Sequence, residues 1–239
     1  MNAPLYTPRP VGRAGPDAAV LDVGLRRYML SVYNYMAAGL ALTGVVAYAA
    51  VTTGFYQQIA ATSLIWVVMF APLAAVLFLG MRIERMSVSS AQAVFWGFAA
   101  IMGLSLAGIL LVYTGTSIAR VFFISAGTFA AMSLYGYTTN RDLSQFGSFL
   151  FMGLIGIVLA SIVNIFVGSS ALQFAISVIG VLLFTGLTAW DTQRIKQVYF
   201  TIGGGDMTKP ALMGALTLYL DFINLFVMLL QLTGDRRGR

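Results

Sequence analysis

Seven stretches of about twenty consecutive apolar residues recur along this chain, and each is long enough to cross the hydrocarbon core of a bilayer as a helix. They run over residues 28–51, 62–81, 91–113, 117–137, 146–167, 171–190 and 211–232. They lack the in–out alternation of a membrane β-barrel, so the expectation is an all-α membrane protein. Composition agrees: 59% of the 239 residues are hydrophobic and only 9% charged, against roughly 25% charged in soluble domains. The expected organisation is a basic flexible tail over residues 1–25, a single transmembrane domain over 26–234 and a short basic tail over 235–239. No signal peptide is evident, because the first apolar run is too long for an h-region.

Charge orients the bundle. Arg26 and Arg27 precede the first segment, Arg82 and Arg85 follow the second, Arg141 follows the fourth, and Arg194, Lys196 and Lys209 lie between the sixth and seventh. The alternate connections lack Lys and Arg, although Arg120 sits just inside segment four. The positive-inside rule then places the N-terminus in the cytoplasm. It also sends Arg236, Arg237 and Arg239 to the far side, against the rule. Seven full crossings are the preferred reading; a partly re-entrant seventh segment is the alternative. The net charge of +6 is read as topology rather than as a nucleic-acid surface.

The chain has no cysteine and no histidine. Thiol catalysis, zinc–thiolate sites, Ser–His hydrolysis and HExxH chemistry are therefore excluded, and acid–base behaviour falls to carboxylates, tyrosine, lysine or arginine. Two carboxylates stand out. Asp191 closes the sixth apolar run and Asp221 lies within the seventh, where a charge costs a few kcal/mol on insertion scales and reads as functional by default. Arg82 ends the second run at the same membrane level as Asp191. Thr188 flanks Asp191, and Thr217 and Asn224 share the face of Asp221. Two close carboxylates in low dielectric titrate as a unit, and Arg82 favours an ionised partner, so these three side chains make a proton-controlled latch. The oxygens of Asp191 and Asp221 offer a hard cation such as Ca²⁺ a weak transit site, short of the six to eight ligands of a storage site. The competing reading makes Asp191 the start of a cytoplasmic loop, paired with Arg194.

Other features have mainly structural readings. Pro72 falls inside segment two, as a kink or hinge. Gly156, Ala160 and Asn164 lie four apart on segment five, for close helix packing with Asn164 bonding across helices or lining a polar cavity. Tyr137 and Trp190 suit the interfacial belt, Arg141–Asp142 is a solvated pair, and Gly203-Gly204-Gly205 is a flexible loop.

The stretches Leu187-Thr188-Ala189-Trp190-Asp191-Thr192-Gln193 and Ala215-Leu216-Thr217-Leu218-Tyr219-Leu220-Asp221-Phe222-Ile223-Asn224-Leu225-Phe226 resemble the Bax-inhibitor family of membrane proteins, its bacterial members in particular. Met132 to Ser144 is similar to those members as well, and Trp190 departs from the tyrosine many relatives carry. The resemblance implies six helices around a central C-terminal seventh. It also implies a pH-sensitive calcium leak in a bacterial inner membrane, with Asp191 and Asp221 as the proton-sensing pair and Arg82 as the latching arginine. No tightly bound cofactor and no enzymatic activity are expected; the partners are the lipid bilayer, protons and Ca²⁺. A second reading is a regulatory protein that partners membrane quality-control proteases without transport. An intramembrane aspartyl protease fits poorly, because Leu218-Tyr219-Leu220 stands where the Gly-x-Gly pattern belongs and Pro210-Ala211-Leu212 precedes the second aspartate instead of following it.

Overall fold

The computed structural model describes residues 16–203 and 205–238; the first fifteen residues of the expected tail lie outside them. Eight α-helices follow one another: α1 (Pro16–Thr52), α2 (Phe55–Ala60), α3 (Leu64–Arg82), α4 (Val88–Val112), α5 (Gly115–Thr138), α6 (Ser144–Val167), α7 (Ser170–Ile202) and α8 (Thr208–Thr233). All but the short α2 are long and apolar enough to cross a membrane. The sequence marks several ends. Ser87, Thr114 and Ser169 accept backbone N–H bonds at the starts of α4, α5 and α7, as good N-caps do. Gly168 and Gly203 end α6 and α7 with positive φ, which glycine adopts without a Cβ clash.

Two helices are longer than their apolar runs. α1 begins at Pro16, so residues 16–25 of the expected tail are helical. α7 does not stop at Asp191; it continues for eleven more residues to Ile202. At about 1.5 Å per residue it is roughly 50 Å long, well beyond a hydrocarbon core of about 30 Å. The extension is held because Asp191, Ile195 and Tyr199 are buried four apart on one face. Tyr199 stacks on Tyr28 of α1 at 5.8 Å between ring centroids.

α8 is the centre of the bundle. It is buried along most of its length, whereas α3 and α6 are mostly exposed. α1, α4, α5 and α7 pack directly against it, α3 covers α4, and α6 covers α7. Large apolar side chains therefore face outward on the outer helices, among them Trp66, Phe70, Phe149 and Phe166, as lipid contact requires. Close approach is made where glycine permits it: a Cβ on Gly136 of α5 would meet the carbonyl of Ala189 in α7. The small-residue face read on segment five packs nothing at Gly156, which is exposed with open space beside it. Pro72 is buried within the unbroken α3.

α8 is continuous from Thr208 to Thr233 and long and apolar enough to cross a membrane, without the break that a re-entrant segment needs. The residues after it are pinned at the end opposite the α7–α8 turn. Thr114 N donates to the Asp235 carbonyl at 3.0 Å and Arg237 N to the Val112 carbonyl at 2.9 Å, while Arg120 pairs with Asp235 at 2.9 Å. Basic residues of the other connections gather at the α7–α8 end. Lys196 Nζ donates to the Tyr137 carbonyl (2.8 Å) and Lys209 Nζ to that of Glu84 (3.2 Å). The basic inter-helix connections thus share one end of the bundle, while Arg120, Arg236 and Arg237 lie at the other.

Candidate functional site

The helix ends decide how the two aspartates meet. Asp191 lies eleven residues before the end of α7 and Asp221 thirteen residues after the start of α8. In adjacent antiparallel helices those offsets are about 17 and 20 Å from a common end, so the side chains lie nearly level. Their carboxyl groups are within hydrogen-bonding reach of each other. Asp191 is 6% exposed and Asp221 5%, and Asp221 Oδ2 has no hydrogen-bond partner. Such an orphaned oxygen is rare in folded proteins.

The cations stand apart from this pair. Arg82, at the end of the outer helix α3, is exposed and forms no ion pair with either aspartate. Arg194, one turn beyond Asp191, is the cation whose charge acts on it, yet it makes no salt bridge and sits over the Trp190 ring at 5.4 Å. Asp191 is therefore buried inside a helix rather than opening a loop.

The oxygen-bearing neighbours are mostly committed to their own helices. Thr188 Oγ1 donates to the Phe184 carbonyl (2.7 Å), Thr217 Oγ1 to that of Met213 (3.1 Å), and Asn224 Nδ2 to that of Leu220 (2.9 Å). Among the described residues no third acidic side chain joins the pair to hold a metal ion. The donor set falls short of the oxygen cage of a resident Ca²⁺. Asn164 lies elsewhere. It donates to Gln173 Oε1 (3.1 Å) and accepts from Ser169 N (3.0 Å) at the α6–α7 turn. There it lines a polar cavity of about 730 Å³ with Ser177, Gln231 and Asp235, at the end where the C-terminal residues are pinned. Between that cavity and the aspartates, Met228 of α8 packs over Gly180 of α7.

A polar relay beside the pair had no signal in a linear reading. Thr192 Oγ1 donates to the Thr188 carbonyl (2.7 Å), which leaves it an acceptor for Ser133 Oγ (3.0 Å). Ser133 in turn accepts from the Tyr33 hydroxyl (2.6 Å). Three helices, α1, α5 and α7, are thus joined one residue from Asp191. Farther along α8, the Tyr219 hydroxyl donates to Thr43 Oγ1 (2.6 Å), itself 2.8 Å from the Ala99 carbonyl. Gln193 holds the α5–α6 turn: its side chain accepts from Leu143 N and donates to the Arg141 carbonyl, both at 2.8 Å. Asp142 caps Ser144 N at 2.9 Å instead of pairing with Arg141.

The family model described as inhibitor of apoptosis-promoting Bax1 matches residues 25–238. The chain belongs to the Bax-inhibitor family. An uncharacterized protein of Rickettsia prowazekii is 52% identical over 218 residues, covering 90% of this chain and 92% of the relative. The inner membrane protein YbhL of Escherichia coli is 48% identical over 219 residues, covering 90% and 94%. A Caulobacter vibrioides protein is 44% identical over 229 residues, covering 91% and 92%. The aspartate pair, the Tyr33–Ser133–Thr192 relay and the Gln193 contacts all fall within the matched span of this Bax-inhibitor family membrane protein.

Proposed function

We propose that this chain is a proton-sensitive cation leak of a bacterial inner membrane, that calcium is the ion it passes, and that Asp191 and Asp221 are its titrating element. The observation that carries the reading is the facing of two buried carboxyls with one oxygen left unpartnered. A protein selected for stability alone gains nothing from that arrangement, because burying an unpaired charge is costly. Proton uptake changes the pair's charge and hence its affinity for a passing cation. Few fixed oxygen donors favour transit over storage. The name of the relative YbhL supports the inner membrane, and the basic α7–α8 end supports a cytoplasmic N-terminus. Arg82 takes the latching role only if α3 moves relative to α8, and α3 is an outer helix held chiefly by α4. The leak involves no covalent chemistry.

The test is calcium flux into proteoliposomes measured against pH, wild type beside Asp191→Asn and Asp221→Asn. Wild-type flux changes with pH, and each substitution flattens that dependence. Unchanged profiles in both variants sink the assignment of the pair. An inert wild type that co-purifies with a membrane protease replaces the leak with the regulatory reading.

A further inference from the structure

A groove of about 1010 Å³ opens between α1 and α5. Both helices pack on α8 but not closely on each other. Small residues hold the gap open, Ala37, Ala41 and Gly44 on one wall and Ala126 and Ala130 on the other. The remaining wall is apolar, with Met36 and Leu40 facing Phe122 and Phe129 above a floor at Phe222. Of its three hydroxyl residues, Tyr33 and Ser133 are bonded to each other and Tyr137 lies toward the Arg26 end, so the middle of the wall offers water little. Arg26 stands at one mouth. From Arg26 to Gly44 is about 27 Å along α1, enough to pass a headgroup and the half of a roughly 30 Å hydrocarbon core that one leaflet occupies. A smaller cavity of about 270 Å³ continues the groove past Gly44 to Tyr48 and Phe226.

We propose that this groove seats an acyl chain of an anionic phospholipid from the surrounding bilayer, with the lipid phosphate against Arg26. Protein interiors are close-packed, and at this depth a bilayer supplies hydrocarbon chains to fill the space. Charge selects the lipid. Arg26 is an exposed guanidinium at the basic end of the bundle, and guanidinium matches phosphate geometry. The lipid phosphate supplies that guanidinium with a counter-charge. The occupant touches the aspartate site from behind. Phe222 in the floor follows Asp221 in sequence, and Ser133 in the wall bonds to Thr192, which follows Asp191. The lipid thus sets the packing of the shell around the pair, whether or not that pair gates a leak.

The test uses the full chain in phosphatidylcholine bilayers doped with phosphatidylglycerol that carries a diazirine on one acyl chain. Cross-linked peptides are mapped by mass spectrometry. Labelling concentrates on residues 29–44 and 122–134 above the equally lipid-facing α3 and α6. It falls several-fold in Arg26→Gln, a change at an exposed side chain, and in Ala130→Trp, which fills the groove. A diazirine phosphatidylcholine probe labels the groove several-fold less than the phosphatidylglycerol probe. Even labelling of all outer faces, equal labelling by the two probes, or undiminished labelling in Arg26→Gln overturns the proposal. Cross-linked dimers joined through the groove overturn it in favour of self-association.

Discussion

Asp221→Asn is expected to make this protein more stable while removing its response to pH. Asp221 is 5% exposed, and its Oδ2 has no partner. Leaving a buried polar group unsatisfied costs about 1–3 kcal/mol, and more when it is charged. Asparagine is nearly the same size, so no cavity term enters. Its Nδ2 can donate to the Asp191 carboxylate, a charge-assisted bond that needs no shared proton. Its neutral oxygen then takes the orphaned position at lower desolvation cost. The net expectation is a gain of about 1–3 kcal/mol at neutral pH. Asp191→Asn gains less, since it removes the carboxylate charge that Arg194 favours. The assay is denaturant unfolding in one detergent for wild type and both variants, with calcium flux read on the same preparations. Destabilisation of Asp221→Asn by more than about 1 kcal/mol refutes the reasoning. It would mean that the Asp221 charge is held by a cation, Arg82 being the candidate, in a second arrangement of α3.

Two glycine substitutions are expected to act with opposite signs. Gly136→Ala drives a methyl into the Ala189 carbonyl and costs about 1–3 kcal/mol of overpacking, more than the roughly 1 kcal/mol helix preference for alanine over glycine. Gly156→Ala meets open space and gains up to about 1 kcal/mol; thermal unfolding of the two beside wild type checks the signs. Gln193→Ala strips partners from Leu143 N and the Arg141 carbonyl, at about 0.5–1.5 kcal/mol for each bond. Faster amide exchange at Leu143 and quicker protease nicking at residues 139–143 are the readouts. Asp142 is held below the usual carboxylate range by bonds from Ser144. A depressed folded value means the cap is present above the ordinary range near pH 4 and is lost only as pH falls through the folded value. The protection of Ser144 N–H, its exchange relative to the intrinsic rate at each pH, is therefore constant from pH 7 to about pH 4 and falls below it; a loss of protection beginning near pH 6 contradicts the assignment.

The number of spans, their order and the alternation of basic connections were legible because each is a local property. A run of twenty apolar residues is visible in itself, and so is the charge of the turn that follows it. The end of α7 was not legible by that rule. After Asp191 the chain turns polar with Thr192, Gln193, Arg194 and Lys196, which reads as a loop when hydropathy alone sets the boundary. A second signal was present in the spacing of Ile195 and Tyr199, which keeps the face of Asp191 buried for two more turns. The start of α1 was missed for the same reason, although Leu25, Tyr28, Met29 and Val32 already form a buried stripe. The distance of Arg82 from the pair in this arrangement was not legible for a different reason. Depth can be counted along a segment, but which helices are neighbours cannot, and α3 lies outside α4.

The extra length of α7 changes what the aspartate pair is. Had the helix ended at Trp190, Asp191 would sit at the membrane surface, with Asp221 well below it and no reason to meet. Because α7 runs on to Ile202 and α8 begins at Thr208, the two offsets nearly match and both carboxyls are drawn into the interior. The same extension places Tyr199 against Tyr28 and brings α1 alongside. The Tyr33–Ser133–Thr192 relay then ties α1 and α5 to the turn of α7 that carries Asp191. Displacing Asp191 therefore strains bonds on three helices at once. Two buried carboxyls without a salt bridge persist because helix length and this relay leave Asp191 no competing position, and the central helix leaves Asp221 none.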